Sequence, residues 1–330
     1  MATQPVGVTH EPRWRRLPII WHLFHSTGLQ RGMLVAGLLI SAVFVIVALF
    51  AQLIAPYGFS QLSDADWSFP RQAAPSDEFV WGTTVGGYDV FSRVVWGTQT
   101  ALLTVVLAVI ASIFLGVALG LVSGYLGGWL DRVLVMIADA VYAFPSLLLA
   151  IVVSIIISGG QSSFWGGIIA AALSITVVFV PQYFRVVRAE TVRLKAEPFV
   201  ESARVLGAPT SRILGKHVLR NATRSLPLIV TLNASEAILT LAGLGFLGFG
   251  INPTKAAEWG YDLNRAVADV ASGIWWTGVF PGVAIVLLVM GVTLVGESLN
   301  DLADPRLRIR RAPRRAGAQA ATATETKGVE

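Results

Sequence analysis

A glycine-rich segment near residue 245 has the spacing of a dinucleotide-binding loop but lacks its setting. Residues 243–248 read GLGFLG, which fits G-x-G-x-x-G, and Asp269 follows at about the distance of a ribose-binding acid. That fingerprint works between a strand and a helix of a βαβ unit. Here it ends a long apolar segment, so close backbone packing or a helix break is the better interpretation.

A second phosphate-binding pattern is incomplete. Gly215-Lys216 is followed by His217, and Thr210 stands where G-x-x-x-x-G-K-[ST] requires its first glycine. The chain therefore has no loop that could cradle the phosphates of ATP. If ATP drives its function, hydrolysis must occur on another polypeptide.

Other chemistry-bearing residues do not form a catalytic or metal-binding set. The sequence contains no cysteine, which excludes thiol catalysis, disulfides and cysteine-based metal sites. His22 and His25 are spaced so that they could share a metal, but Trp21, Phe24 and basic neighbours favour a place at a membrane interface. We predict no catalytic residue, no metal and no cofactor bound by this chain.

Glu236 is the one acid deep inside an apolar segment. Ionisable residues within a membrane are expensive and commonly serve transport, so Glu236 is a functional candidate. A buried structural hydrogen bond to a neighbouring helix is an equally good interpretation.

The segment from Glu197 to Gly207 predicts a short amphipathic helix. Pro198 suits its first position and Gly207 its end. Phe199, Ala203 and Leu206 lie at i, i+4 and i+7, so they share one face. Such a helix is marginal alone. Held between two membrane spans, it is suited to docking a partner; the alternative is a helix lying on the lipid surface.

Long blocks without charge surround these residues and predict an all-α membrane protein. The chain is 54% hydrophobic and 14% charged, with a mean hydropathy of +0.66. A span needs about 20 apolar residues, and a charge at its centre costs about 2.5–3.5 kcal/mol. The block 140–184 is too long for one crossing and is divided by a polar cluster at 158–163. Six spans follow: 34–55, 101–123, 140–158, 165–184, 226–247 and 277–296.

The distribution of Lys and Arg predicts the orientation. Basic residues gather before the first span, in the loop 185–224 and in the tail, whereas the alternate loops hold only Arg71, Arg93, Lys255 and Arg265. By the positive-inside rule both termini are cytoplasmic. The net charge of +5 is thus explained by these orientation signals, and no binding to nucleic acid is needed to account for it. The first span is longer than the roughly 7–15 apolar residues of a signal-peptide core, which favours a retained helix in the inner cell membrane.

The resulting organisation has five parts. A cytoplasmic segment 1–33 precedes the first span 34–55, and an extracytoplasmic loop occupies 56–100. Residues 101–305 form a core with five further spans, and 306–330 form a basic tail whose composition predicts disorder. Within the core, small residues recur every four positions and predict close helix packing: Ala108, Ser112, Gly116, Gly120 and Gly124.

At the predicted docking helix the sequence resembles a known family, the permease subunits of ATP-binding-cassette importers of the dipeptide/oligopeptide type. Glu201-Ser202-Ala203-x-x-x-Gly207 is similar to the family's cytoplasmic E-A-A-x-x-x-G motif, with Ser202 in place of alanine, while Leu219-Arg220 replaces a later L-P. The resemblance extends from about residue 30 to 310 and includes 81–97, 139–150, 246–250 with 258–260, 280–282 and 296–306, with Thr84 and Tyr88 departing from the first of these patterns.

The resemblance implies the type I importer permease fold and a set of partners. These are a second homologous permease, two ATPase subunits that use the ATP, and an extracytoplasmic substrate-binding protein. It also implies that residues 198–208 form the coupling helix seated on an ATPase, so the expected docking residues are Pro198, Phe199, Val200, Glu201, Ser202, Ala203, Arg204, Leu206, Gly207 and Ala208.

The expected function is import of dipeptides or oligopeptides along a path shared with the second permease. Sister systems carry nickel complexes, glutathione or other small solutes, so these remain alternatives. A membrane-embedded enzyme would need clustered polar groups inside its spans, and a receptor or scaffold would not need a docking helix. Both are weaker interpretations of this sequence.

Overall fold

The computed structural model describes residues 29–64, 67–158 and 163–303. Within these ranges the chain is predominantly helical, with two short strands. In chain order the elements are α1 Leu29–Leu49, α2 Ala51–Ile54, β1 Ser63–Asp64, β2 Trp67–Ser68, α3 Val90–Leu126, α4 Gly128–Tyr142, α5 Ser146–Ser158, α6 Phe164–Lys195, α7 Pro198–Val205, α8 Thr210–Arg212, a π-helix Ile213–Val218, α9 Leu219–Ala222, α10 Leu226–Phe246, α11 Trp259–Ala271 and α12 Trp276–Ala303.

The predicted all-α membrane fold is confirmed. Among the described residues, five helices are long and apolar enough to cross a membrane, namely α1, α3, α6, α10 and α12. Helices α4 and α5 together form a sixth candidate, bent by 101° at a short break. The N-terminal predictions, including His22 and His25, most of the polar cluster 158–163 and the tail 306–330 lie outside the described residues.

The third predicted span, 140–158, was wrong as a continuous helix. The chain breaks at 143–145, because Pro145 lacks an amide hydrogen and disfavours a helical conformation in the residue before it. The α5 helix, with 13 residues, is about 20 Å long. That is shorter than the roughly 30 Å hydrocarbon core of a bilayer.

Two other helices extend past their predicted limits. The α3 helix begins at Val90 instead of residue 101, since Asp89 accepts a hydrogen bond from the Ser92 amide at 2.7 Å and caps it. The α6 helix continues to Lys195 instead of ending at 184. Charged residues do not end these helices, because several of them find partners on neighbouring elements.

The central contact of the fold joins α3 to α6 along the predicted row of small residues. A Cβ on Gly120 would lie 2.9 Å from the Phe184 carbonyl oxygen, and one on Gly124 would lie 2.8 Å from the Arg188 carbonyl oxygen. Such spacing leaves no room for larger side chains and allows backbone-to-backbone approach. The prediction that this row serves helix packing is confirmed.

We call the end of the bundle that carries residues 55–64, residues 67–89 and α11 the head, and the end that carries α7 the base. At the head, Arg93 is 1% exposed and its Nε atom donates to both carboxylate oxygens of Asp262, at 2.7 and 2.9 Å. Its Nη1 atom donates to the carbonyl of Phe59 at 2.9 Å. This buried ion pair fastens α3 to α11.

Candidate functional site

The short helix α7 forms as its sequence predicts. Glu197 is extended, Pro198 occupies the first turn, and the Ser202 hydroxyl donates to the Pro198 carbonyl at 2.8 Å. At the other end Gly207 has a φ of +78°. The Gly207 and Ala208 amides donate to the Arg204 and Ala203 carbonyls, each at 3.0 Å, which is the Schellman pattern that terminates a helix.

One side of α7 is buried, and the opposite side is exposed among the residues that the structure describes. Val200 is fully buried in a cluster with Ile213 and Val218 of the π-helix. Leu206 is 86% exposed and Val205 is 83% exposed. We call Phe199, Val205 and Leu206, all exposed apolar residues, the base patch.

The base patch differs from the predicted apolar stripe. Val200 was assigned to docking, but it anchors α7 to the bundle and offers no surface. Ala203 is half-buried against the same cluster, whereas Val205, absent from the prediction, is exposed. The reason is that a helix lying on the π-helix must turn one side inward, and the spacing of Val200 and Ala203 marks that side.

Of the other predicted docking residues, most lie on the open side of α7 or at its ends. Pro198, Glu201, Ser202, Arg204 and Gly207 are exposed, and Ala208 is half-buried. A Cβ at Gly207 would meet no atom of the described residues within 4 Å, whereas its positive φ does restrict that position.

Contacts between three helices hold α7 at the base. The Lys195 ammonium donates to the Tyr125 carbonyl at 2.6 Å, and the Arg204 guanidinium lies 5.9 Å from the centre of the Tyr125 ring. Nearby, Arg188 of α6 forms a two-bond ion pair with Asp131 of α4, at 2.5 and 2.6 Å. Sequence reasoning missed Tyr125 and Asp131, because their roles depend on which helices are neighbours.

Glu236 lies at the middle of α10 and faces a cavity of about 220 Å³ beside the α4–α5 bend. Tyr142, Ser146 and Gln182 are the other polar residues that line this cavity, and apolar residues including Phe144 complete its wall. In the part of the chain that the structure describes, the Glu236 carboxylate makes neither a hydrogen bond nor an ion pair. The alternative of a buried structural hydrogen bond therefore has no partner among the described residues.

The glycine-rich segment 243–248 is a packing site, as predicted. The α10 helix ends at Phe246, and a Cβ on Gly245 would overlap the carboxylate of Glu258. That carboxylate caps α11 by accepting from the amides of Gly260 and Tyr261, at 2.8 and 2.9 Å. Burial raises the pKa of Glu258 to about 8, although the two amide hydrogen bonds act in the opposite direction.

Comparison with known proteins agrees with this geometry. Residues 116–309 match the family described as "Binding-protein-dependent transport system inner membrane component". The glutathione transport system permease protein GsiD of Shigella flexneri is 36% identical over 288 residues, which cover 87% of this chain and 91% of that protein. GsiD of Escherichia coli O157:H7 is 35% identical over the same shares. The chain therefore belongs to the inner-membrane permease family of binding-protein-dependent ABC importers.

Proposed function

We propose that this permease imports small peptides, with glutathione, a peptide itself, among the candidate substrates. The support for a peptide-class substrate is the similarity to glutathione permeases over 87% of the chain, together with the dipeptide-type sequence patterns. Nickel complexes or another small solute remain the second candidate, because the same architecture serves them.

The observation that supports ATP-driven coupling is the base patch. Three apolar side chains are exposed on a helix that is itself anchored by Val200 and terminated by Gly207. Apolar side chains that lie outside a membrane span and have no partner among the described residues favour docking of another protein. The partners proposed for this chain are two ATPase subunits at the base, a second permease, and an external binding protein at the head.

This assignment places the base and both termini in the cytoplasm. The chain contains no cysteine, so a single introduced thiol reports its own location. Ser76→Cys at the head and Thr210→Cys at the base should react with a membrane-impermeant maleimide from opposite sides. Reaction of both from the same side would contradict the orientation.

The substrate is tested by uptake. Cells that lack this chain should lose accumulation of radiolabelled dipeptide or glutathione, and the intact gene should restore it. Normal peptide and glutathione uptake with loss of nickel uptake would instead establish the second candidate. Copurification of an ATPase with the tagged permease tests the coupling assignment independently of the substrate.

A further inference from the structure

The cavity beside Glu236 occurs where the bend between α4 and α5 interrupts a candidate membrane span. Regular helix is interrupted at 143–145. Ser146, the first residue of α5, lines the cavity together with Glu236 of α10 and Gln182 of α6. Irregular backbone inside a membrane is tolerated where it is buried in protein or lines a water-filled space. Broken helices of this kind border binding sites in other transporters.

Among the described residues, no basic side chain pairs with the Glu236 carboxylate in this cavity. The basic side chain closest in sequence to its α6 wall is Arg185, whose guanidinium pairs with Asp139 at 2.7 Å and covers the Tyr142 ring at 4.3 Å. Arg185 is therefore engaged beside the cavity, and the Glu236 carboxylate has no partner among the described residues. An unpaired carboxylate in an apolar bundle costs free energy, so binding of a positively charged group there would be favourable.

The polar groups fit a primary ammonium in particular. An ammonium has three donors and no acceptor, and three residues that line the cavity carry side-chain acceptors, namely Glu236, Gln182 and Ser146. A volume of about 220 Å³ is below the roughly 300–1,000 Å³ that encloses a whole drug-sized ligand. The cavity is thus suited to one end of a substrate instead of the complete molecule.

We propose that Glu236 binds the protonated α-amino group of a peptide substrate during its passage, with Gln182 and Ser146 as further acceptors. This inference rests on the proposed import of peptides and deepens it, since glutathione and ordinary dipeptides share a free α-amino group. Glu236 is then a residue that determines specificity, and its charge is the property that matters.

The test uses the complete importer in proteoliposomes, with its ATPases inside and its binding protein outside. Uptake of a dipeptide and of its N-acetyl derivative is measured, each at a concentration that saturates the binding protein. For Glu236→Gln we expect uptake of the free dipeptide to fall about tenfold, the change expected when a charge-assisted hydrogen bond is lost. Uptake of the N-acetyl derivative should be unchanged, so the variant loses its preference between the two.

Charge rescue provides a second measurement that does not depend on one variant. Because the chain has no other cysteine, Glu236→Cys can be modified selectively within it by a negatively charged sulfonatoethyl or a positively charged trimethylammonioethyl methanethiosulfonate. The complex without this substitution is the control, and it measures labelling of the partner subunits. We expect the negative reagent to restore dipeptide uptake and the positive reagent to leave it low. A variant that fails to assemble is replaced by Glu236→Asp, for which partial uptake with retained preference is expected.

The outcomes separate the inference from the proposed function. Equal effects of the two reagents, or full dipeptide uptake with unchanged preference in Glu236→Gln, would overturn the role of Glu236 while peptide import stands. Absence of peptide uptake by the wild-type complex would overturn peptide import and this inference with it.

Discussion

Replacement of Leu206 by serine should weaken docking of the ATPase without weakening the fold. The Leu206 side chain is 86% exposed in this chain, so its loss costs little stability, within about 0.5 kcal/mol. If docking buries it fully, the lost transfer free energy is about 2 kcal/mol. At about 1.4 kcal/mol per factor of ten, the dissociation constant for the ATPase should rise about 30-fold.

The assay is titration of the purified ATPase onto the permease in lipid nanodiscs, with thermal unfolding measured in parallel. Val200→Ala is the matched control, since Val200 belongs to the same helix but is fully buried. It removes two methyl-sized groups at about 0.8 kcal/mol each and leaves a cavity. We expect this control to lower the unfolding temperature and to retain ATPase affinity when folded.

The opposite pattern would refute this reasoning. If Leu206→Ser binds the ATPase with wild-type affinity and transports normally, the base patch is not the docking surface. If Val200→Ala loses affinity while its unfolding temperature is unchanged, then Val200 is turned outward in the complex and our account of the inner side of α7 fails.

Three further predictions concern stability in detergent. Asp262→Ala should cost about 3–5 kcal/mol, since it leaves Arg93 buried without its partner; combining it with Arg93→Met should recover part of the loss in unfolding temperature. Gly120→Ala should destabilise by about 1–3 kcal/mol through contact with the α6 backbone. Gly32→Ala, whose Cβ would meet no atom of the described residues within 4 Å, should not destabilise the protein. Equal unfolding temperatures for the two variants would contradict the packing of α3 against α6. Glu258 binds a proton more tightly in the folded protein than in the unfolded chain, so the free energy of unfolding should fall as pH rises from about 4.5 to about 8. If the stability of Glu258→Gln has the same pH profile as that of the wild type, this reasoning is wrong.

The sequence was sufficient for those features that depend on one helix at a time. Uncharged blocks predicted the apolar helices, and the Pro198–Gly207 pair predicted both ends of α7. The small residues from Ala108 to Gly124 predicted a close contact, although they did not identify α6 as the partner. These signals are local, because helix propensity and capping act within a few residues.

Features that depend on two or more elements were not predictable from the sequence. Arg93 was counted as a loop residue, yet its pairing with Asp262 lets α3 begin before it. Which side of α7 is buried depends on the position of the π-helix, so the burial of Val200 was not predictable. The Glu236 cavity needs the bend at Pro145, and a proline in an apolar block indicates a break without giving its angle.

The close packing seam between α3 and α6 joins the two helices into one rigid unit. At 1.5 Å per residue, their 37 and 32 residues correspond to lengths of about 55 and 48 Å, and glycines hold their backbones in contact along the seam. This unit contacts α7 through Tyr125 at one end and α11 through Arg93 at the other. We therefore expect a displacement of α7 to reach the head through these two helices.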